Sequence, residues 1–275
     1  MALKKREELE KLANDIRKDV VRMTYNSGVK GAHLGGSMSI ADLMAVLYGA
    51  VMNVDPSNPA MEERDRVILS KAHAAMAWYS ALSYAGFISR QQIDEAMYGD
   101  SPLFEHPKKN LEFGIESSGG SLGMGLSFGM GMGLGLKKKG VDKARVFVIL
   151  GDGECDEGSV WEAAAAVVHY GLNNVIPIVD LNGLQFDGTN DEIMKLGSMV
   201  DRWKSIGFDV VDINGHDIDA LYEELSKKRN VPTAIICRTT KGKGVSFAEN
   251  VVEWHTGRLT DDMYEQAMKE LSNND

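Results

Sequence analysis

The sequence has 275 residues, a length that fits one large α/β domain or two small ones. Its 30 lysines and arginines against 40 aspartates and glutamates give a formal net charge of −10, which argues against a generic nucleic-acid or anionic-membrane binder. The two cysteines, Cys155 and Cys237, are too few for a disulfide framework or a cysteine zinc cluster. Residues 1–19 are charged and lack the apolar core of a secretion signal, so the chain is predicted to be cytoplasmic.

Hydrophobic periodicity predicts helices and strands that alternate along the chain. In chain order they are a helix over 3–25, a helix from 39 to about 50, a strand over 66–70, helices over 73–85 and 90–98, a loop layer over 99–120, a Gly/Met-rich helix over 122–136, a strand over 145–150, a helix over 159–170, strands over 175–181 and 208–213, a helix over 217–228, a strand over 234–238 and a helix over 264–271. Ser39 with Asp42, and Ser159 with Glu162, predict capping boxes. The alternation predicts one domain with a doubly wound, mostly parallel sheet flanked by helices.

The Gly/Met-rich segment is the most hydrophobic run of the sequence, but it is shorter than the ~20 apolar residues of a membrane span. Its glycines are therefore interpreted as positions of close packing, and its apolar stripe as a subunit interface.

Polar clusters follow four of the predicted strands where each strand ends, at residues 71–73, 151–158, 182–188 and 239–244. Ligands of doubly wound folds bind beyond these carboxyl ends. One helix and one strand separate the turn Gly151-Asp152-Gly153 from Asn182, so the two are expected to meet at neighbouring strand ends. Carboxylate and amide oxygens suit Mg²⁺ shared with phosphates, and Gly153 lets the backbone approach a phosphate. Asp-Gly is also a common turn, and only the joint pattern predicts a diphosphate site. The phosphate-binding patterns GxxxxGK[ST] and a proper GxGxxG are absent from the sequence.

The residues around this turn resemble a known family. Residues 151–163 (GDGECDEGSVWEA), followed by Asp180-Leu181-Asn182, are similar to the thiamine diphosphate motif of transketolases. Further segments are similar to transketolase motifs in the family's order: His33-Leu34-Gly35-Gly36, residues 65–80 (DRVILSKAHAAMAWYS), His106-Pro107, residues 114–125 (GIESSGGSLGMG), residues 239–244 (TTKGKG) and Trp254-His255. The resemblance implies that residues 1–275 form a single thiamine diphosphate-binding domain, the one that holds the diphosphate and the metal. It also implies thiamine diphosphate and Mg²⁺ or Ca²⁺ as cofactors.

The resemblance further implies a partner. Transketolases continue into a pyrimidine-binding domain and a C-terminal domain, whereas this sequence stops at Asp275. The chain is therefore expected to be the N-terminal subunit of a split transketolase, with the other two domains on a separate C-terminal subunit. Self-association through the cofactor domain would then give a heterotetramer. The isolated chain is expected to bind cofactor weakly and to turn over no substrate.

Site residues follow from the family motifs position by position. The metal would be held by the side chains of Asp152 and Asn182 and by the backbone carbonyl of Leu184. The cofactor would lie against His73, Gly120, Ser121, Leu122, Gly153, Asn182 and Lys241. The resemblance places His33, His106 and His255 at the substrate, where imidazole suits proton movement because its pKa is near neutrality. Glu157 would help to link two cofactor sites across a dimer interface, although an anion just before a helix is also stabilised by the helix dipole. His169 and His216 match no motif.

The implied activity is reversible transfer of a two-carbon ketol unit from a ketose phosphate of the xylulose 5-phosphate type to an aldose phosphate of the ribose 5-phosphate type. Leu34, Ala72 and Met124 depart from the family pattern and leave the substrate open. One alternative is a specialised transketolase for a modified sugar. Another is a subunit of a different thiamine diphosphate enzyme, similar to 1-deoxyxylulose-5-phosphate synthase or a 2-oxo acid dehydrogenase. A third is a catalytically silent regulatory subunit, which the intact metal and histidine positions disfavour.

Overall fold

Five parallel strands form one sheet within residues 3–98 and 101–273, the part of the chain that this computed structural model describes. The strands are β1 (Arg66–Leu69), β2 (Val146–Gly151), β3 (Val175–Leu181), β4 (Asp209–Asn214) and β5 (Thr233–Arg238), and their order in the sheet is β1-β2-β3-β5-β4. Every neighbouring pair is parallel. Each predicted strand lies within one residue of an observed one, and the predicted doubly wound sheet is confirmed.

Helices cover both faces of this sheet. They are α1 (Leu3–Asn26), α2 (Leu34–Met38), α3 (Ala41–Val46), α4 (Ala75–Tyr84), α5 (Arg90–Asp94), α6 (Gly125–Lys138), α7 (Gly158–His169), α8 (Asn190–Ile193), α9 (Met199–Ile206), α10 (Ile218–Ser226) and α11 (Asp261–Ser272). The helix predicted over 90–98 is shorter than expected, and α8 and α9 were not predicted. Residues 99 and 100 of the predicted loop layer lie outside the described residues. In the described part of the chain, no helix combines the length and the apolar character required to cross a lipid bilayer.

Both predicted capping boxes are wrong. Ser39 precedes α3 by two residues, and its hydroxyl donates to the carboxylate of Asp180 at 2.7 Å. Ser159 lies inside α7, and its hydroxyl donates to the carbonyl of Gly123 at 3.1 Å. Capping boxes form instead at exposed helix starts, at Ser89 with Gln92 and at Thr189 with Glu192. The local pattern does not show which serine hydroxyls are needed by distant partners.

The apolar core has two halves, one on each side of the sheet. Side chains of β2 alternate between them: Phe147 and Ile149 pack with α1, α3 and α4, whereas Val146 and Val148 pack with α6, α7 and α9. Parallel strands covered on both faces are hydrophobic at every position, as the sequence of β2 is. This packing leaves only the two ends of the sheet open, and the carboxyl ends of four strands lead into the polar segments predicted to bind a ligand.

The glycines of α6 differ in what surrounds them. A Cβ on Gly129 would lie 2.4 Å from Cγ2 of Val148, whereas a Cβ on Gly131 would have no neighbouring atom within 4 Å. We therefore expect Gly129→Ala to destabilise the chain by ~1–3 kcal/mol through overpacking. Gly131→Ala is expected to stabilise it by roughly 0.5–1 kcal/mol, because alanine favours a helix more than glycine does. Urea unfolding of the isolated variants measures both free energies, and shifts of the same sign would contradict the packing role of Gly129.

Candidate functional site

A cavity of about 280 Å³ lies beyond the carboxyl ends of β1, β2, β3 and β5. Most of the residues predicted for the site line it: His33, His73, His106, Gly120, Leu122, Asp152, Gly153, Asn182, Leu184, Lys241 and His255. Residues that were not predicted also line it: Gly36, Lys71, Gly151, Glu154, Gln185 and Phe186. Ser121 and Glu157 are exposed and do not line the cavity, so their roles at the cofactor and at a dimer interface stay predictions.

Four histidines from distant parts of the sequence meet at this cavity. The ring centroid of His33 lies 5.3 Å from that of His73, 5.2 Å from that of His255 and 5.9 Å from that of His106. The rings of His73 and His255 are 5.1 Å apart. The ring of Phe186 stands edge-on to His255 and adds an apolar surface to the group. The cluster can therefore present several proton donors and acceptors to one small molecule.

The environment holds three of these imidazoles neutral at neutral pH. Burial, together with the charge of Lys241 and the neighbouring His33, lowers the pKa of His255 to about 3. Burial and the charge of Lys71 hold the pKa of His73 well below its ordinary value. Burial also lowers the pKa of His33, although Glu105 opposes this effect. A neutral imidazole keeps one nitrogen lone pair, so each of these rings can accept a hydrogen bond or a proton.

Glu105, which the sequence did not indicate, orients His33. Its carboxylate lies 2.5 Å from Nδ1 of His33. A neutral His33 therefore donates its Nδ1 proton to Glu105, and Nε2 is left as the acceptor. This is the arrangement in which a carboxylate fixes the tautomer of a histidine and leaves the other ring nitrogen basic.

Oxygen donors collect at one corner of the cavity, around Asp152, Asn182 and the carbonyl of Leu184. The backbone links them: Gly183 N donates to the Asp152 carboxylate at 2.6 Å, and Leu184 N donates to Oδ1 of Asn182 at 3.1 Å. Gly183 has φ of 81°, a left-handed conformation that favours glycine and allows this tight turn. Burial, followed by the charge of Asp180, raises the pKa of Asp152, so its carboxylate lacks a compensating cation.

This donor set fits a hard divalent cation. One carboxylate, one amide oxygen and one carbonyl are the ligand types that Mg²⁺ takes together with phosphate and water oxygens. His, Cys, Asp and Glu side chains alone form no group of three suited to a metal ion within residues 3–98 and 101–273. A metal at this corner would therefore need oxygens from a bound phosphate to complete its coordination.

Lys241 supplies positive charge next to the oxygen corner. It is 1% exposed, and its Nζ donates to the carbonyls of Leu184 at 3.0 Å and Gln185 at 2.9 Å. Nζ also lies 2.9 Å from Nδ1 of His255. Burial and the charge of Lys71 lower its pKa to about 8. Within the described residues its ammonium forms no salt bridge with a carboxylate, so an anionic ligand such as a diphosphate would supply the missing counter-charge.

A buried ion pair that the sequence did not reveal lies behind the cavity. Lys71 and Asp180 form a salt bridge at 2.5 Å, and their side chains are 2% and 1% exposed. Asp180 also accepts hydrogen bonds from Ser39, Thr239 and Asn182, the last at 3.0 Å. Because the Nδ2 group of Asn182 is held by Asp180, its Oδ1 is directed away from this pair. The network therefore fixes the orientation of a predicted metal ligand.

Glu154 is a second buried carboxylate that the sequence did not reveal. It accepts hydrogen bonds from Gly123 N at 2.8 Å, from Gly151 N at 3.0 Å and from the hydroxyl of Ser70. These three donors lie at the end of β1, at the end of β2 and before α6. Glu154 thereby joins the glycine-rich wall of the cavity, near Gly120, to the sheet.

Comparison with known proteins agrees with this site. The family described as transketolase, thiamine diphosphate binding domain, matches residues 10–275. One of the two subunits of an apulose-4-phosphate transketolase from Phocaeicola vulgatus is 41% identical over 271 residues, which are 97% of this chain and 94% of that protein. The 6-deoxy-6-sulfo-D-fructose transketolase subunit SqwG of a Clostridium species is 36% identical over 267 residues, 96% of each chain.

A solved structure agrees as well. The transketolase of Campylobacter jejuni superposes with a TM-score of 0.86 at 26% identity, over 99% of this chain and 43% of that chain. The chain thus spans less than half the length of that transketolase. The family match covers nearly the whole chain and includes every residue that lines the cavity. The protein belongs to the transketolase thiamine diphosphate-binding domain family.

Proposed function

We propose that this chain is the thiamine diphosphate-binding subunit of a two-chain transketolase. The observation that carries the proposal is the cavity itself, where four histidines face an oxygen-donor corner and the buried ammonium of Lys241. Asp152, Asn182 and the Leu184 carbonyl would hold Mg²⁺ or Ca²⁺. Gly153, His73 and Lys241 would hold the diphosphate, with Gly120, Ser121 and Leu122 along the cofactor. When bound, thiamine diphosphate supplies the nucleophilic carbon and the electron sink for cleaving a carbon–carbon bond beside a carbonyl.

The histidines would move the protons of ketol transfer. The C2–C3 bond of a donor ketose breaks, a new bond forms to C1 of an acceptor aldose, and no net oxidation occurs. The donor C3 hydroxyl loses a proton as it becomes a carbonyl, and the acceptor carbonyl oxygen gains one. His33 and His255 would serve these oxygens, since both are neutral and lie 5.2 Å apart between ring centroids. His106, at the cavity rim, would bind the C1 hydroxyl of the ketol unit.

The partner would be a C-terminal subunit that carries the pyrimidine-binding domain. Two relatives of nearly the same length are named as transketolase subunits, and this supports a split enzyme. The exposed Glu157, together with the exposed Met124 and Phe128, would lie where two cofactor domains meet. The expected assembly is a heterotetramer of two such domains and two partner subunits.

The donor would be a ketose with an anionic terminal group. Xylulose 5-phosphate and ribose 5-phosphate are the donor and acceptor that the sequence motifs favour. The names of the relatives support a modified donor instead, since one is named for apulose 4-phosphate and the other for 6-deoxy-6-sulfofructose. Phosphate and sulfonate share charge and tetrahedral shape, and a site for one would suit the other.

Ketol transfer tests the proposal directly. The full chain, with thiamine diphosphate and Mg²⁺, is assayed alone and with a candidate C-terminal subunit. The donors are xylulose 5-phosphate, apulose 4-phosphate and 6-deoxy-6-sulfofructose, each with an aldose acceptor such as ribose 5-phosphate. Transfer is expected only in the mixture, and the fastest donor identifies the substrate. Robust transfer by this chain alone would contradict the split enzyme, and transfer by a mixture containing Asp152→Ala would favour a silent subunit.

A further inference from the structure

His216, which matches no transketolase motif, forms a hydrogen-bonded group outside the cavity. It lies in the turn between β4 and α10, and its side chain is largely buried. Nδ1 of the ring lies 2.7 Å from the carboxylate of Asp42, and Nε2 accepts the backbone N–H of Thr240 at 2.8 Å. Since Nε2 is an acceptor, Nδ1 must carry the proton that is donated to Asp42. The two contacts therefore specify one tautomer and one ring orientation.

Asp42 is itself held in place by Arg17. Both terminal nitrogens of the guanidinium donate to the carboxylate, Nη1 at 3.2 Å. The two side chains are each 9% exposed. Burial alone would raise the pKa of Asp42, but Arg17 and His216 hold it below its ordinary value, so the carboxylate stays ionised. α1 and α3 thus present a fixed anion to the His216 ring.

The N–H that His216 accepts belongs to the turn that carries Lys241. This turn, residues 239–242, follows β5 and is fixed at its other positions by a Thr239 hydroxyl bond to Asp180 and by Gly242 N donating to Gly35 O at 3.1 Å. The amide of Thr240, immediately before Lys241, has the His216 ring as its acceptor. A shift of this amide would move the Lys241 backbone, and with it the ammonium that bonds Leu184 and Gln185 at the cavity.

We propose that His216, oriented by Asp42 and Arg17, is a positioning residue that sets Lys241 for diphosphate binding. The inference rests on the proposed function, because it assigns the diphosphate to Lys241. His216 itself lies outside the cavity and acts only through the Thr240 amide. Its effect is therefore expected in the affinity for the cofactor and not in direct contact with it.

Two substitutions at His216 separate its two hydrogen bonds. In His216→Gln the side-chain amide oxygen can replace Nε2 as the acceptor for Thr240. In His216→Asn the shorter amide can still donate to Asp42 but does not reach Thr240. We expect the Kd for thiamine diphosphate with Mg²⁺, measured by calorimetry on the full chain, to rise about tenfold in His216→Asn and to stay within about twofold in His216→Gln. The exposed His169→Asn serves as the matched control and leaves the Kd unchanged.

A double-mutant cycle distinguishes positioning from a general structural role. If His216 acts through Lys241, His216→Asn raises the Kd in the wild-type background but not in a Lys241→Met background. A tenfold rise in both backgrounds overturns the proposal. Equal Kd values for wild type, His216→Gln and His216→Asn also overturn it, while leaving the proposed function intact. Failure of the wild-type chain, alone and with its partner subunit, to bind thiamine diphosphate overturns the proposed function together with this inference.

Hydrogen exchange gives a measurement that does not depend on how the variants fold. The Thr240 amide of the wild-type chain is expected to exchange slowly, because its N–H is bonded to a largely buried ring. The exposed amide of Asp187 provides the comparison within the same protein. Exchange of the Thr240 amide as fast as that of Asp187 would overturn the proposal without any substitution.

Discussion

Asp152→Ala is expected to abolish binding of Mg²⁺ and thiamine diphosphate and to lower ketol transfer by the two-chain enzyme at least about 100-fold. Asp152 is the carboxylate at the oxygen-donor corner, and its partners there include the backbone amides of Gly153 and Gly183. Burial and the charge of Asp180 raise its pKa, and a divalent cation would offset this effect by supplying positive charge. Glu154, the other carboxylate at the cavity, already accepts three hydrogen bonds and cannot replace it.

Thermal unfolding with and without the cofactors separates a lost site from a lost fold. Cofactors at about 100 times their Kd should stabilise the wild type by ~2.7 kcal/mol. Asp152→Ala should unfold at the same temperature with and without them. Asp187→Ala is the matched control, because Asp187 lies exposed in the same loop region and does not line the cavity. Cofactor stabilisation that persists in Asp152→Ala would contradict the assignment of the metal site.

The parts of the fold that the sequence predicts well are those with a local cause. β2 and β3 are apolar at nearly every position because helices cover both faces of the sheet, and this pattern is visible without any tertiary information. The Gly151-Asp152-Gly153 turn and Asn182 were expected to meet because one crossover separates them. In the structure, Gly151 pairs with Asp180, two residues before Asn182. Topology alone therefore brings these two polar segments together.

The residues that the sequence does not predict act over long separations. Lys71 and Asp180 are 109 positions apart, and Glu105 meets His33 across 72 positions. A lysine or glutamate in a polar loop carries no local sign that it will be buried beside a particular partner. Ser39 illustrates the same limit from the other side, since its spacing to Asp42 indicates a capping box while its hydroxyl in fact bonds Asp180. The short helices α8 and α9 did carry a local signal, in the N-cap residues Thr189 and Ser198.

Lys71→Met is expected to destabilise the chain by ~3–5 kcal/mol, because it leaves the buried carboxylate of Asp180 without its cation. In the wild type, burial alone would raise the pKa of Asp180, but Lys71 and the surrounding hydrogen bonds lower it. Lowering the pKa in the folded state stabilises the fold above the unfolded-state pKa, and this contribution is lost as pH falls through the folded-state pKa. Without Lys71 the effect of burial prevails, so Asp180 favours its protonated form and the deficit shrinks as the pH falls.

Urea unfolding at about pH 7 and about pH 5 measures this difference. The matched control is Lys195→Met, since Lys195 pairs with Asp191 at 2.9 Å but both side chains are more than 70% exposed. Exposed pairs contribute only ~0–1 kcal/mol, so the control should change little at either pH. Lys71→Met/Asp180→Asn should recover part of the lost stability, because no uncompensated charge remains. It should not recover cofactor binding, because Asp180 also holds the amide of Asn182 and so orients a metal ligand. Full recovery of both would show that the pair stabilises the fold without shaping the site.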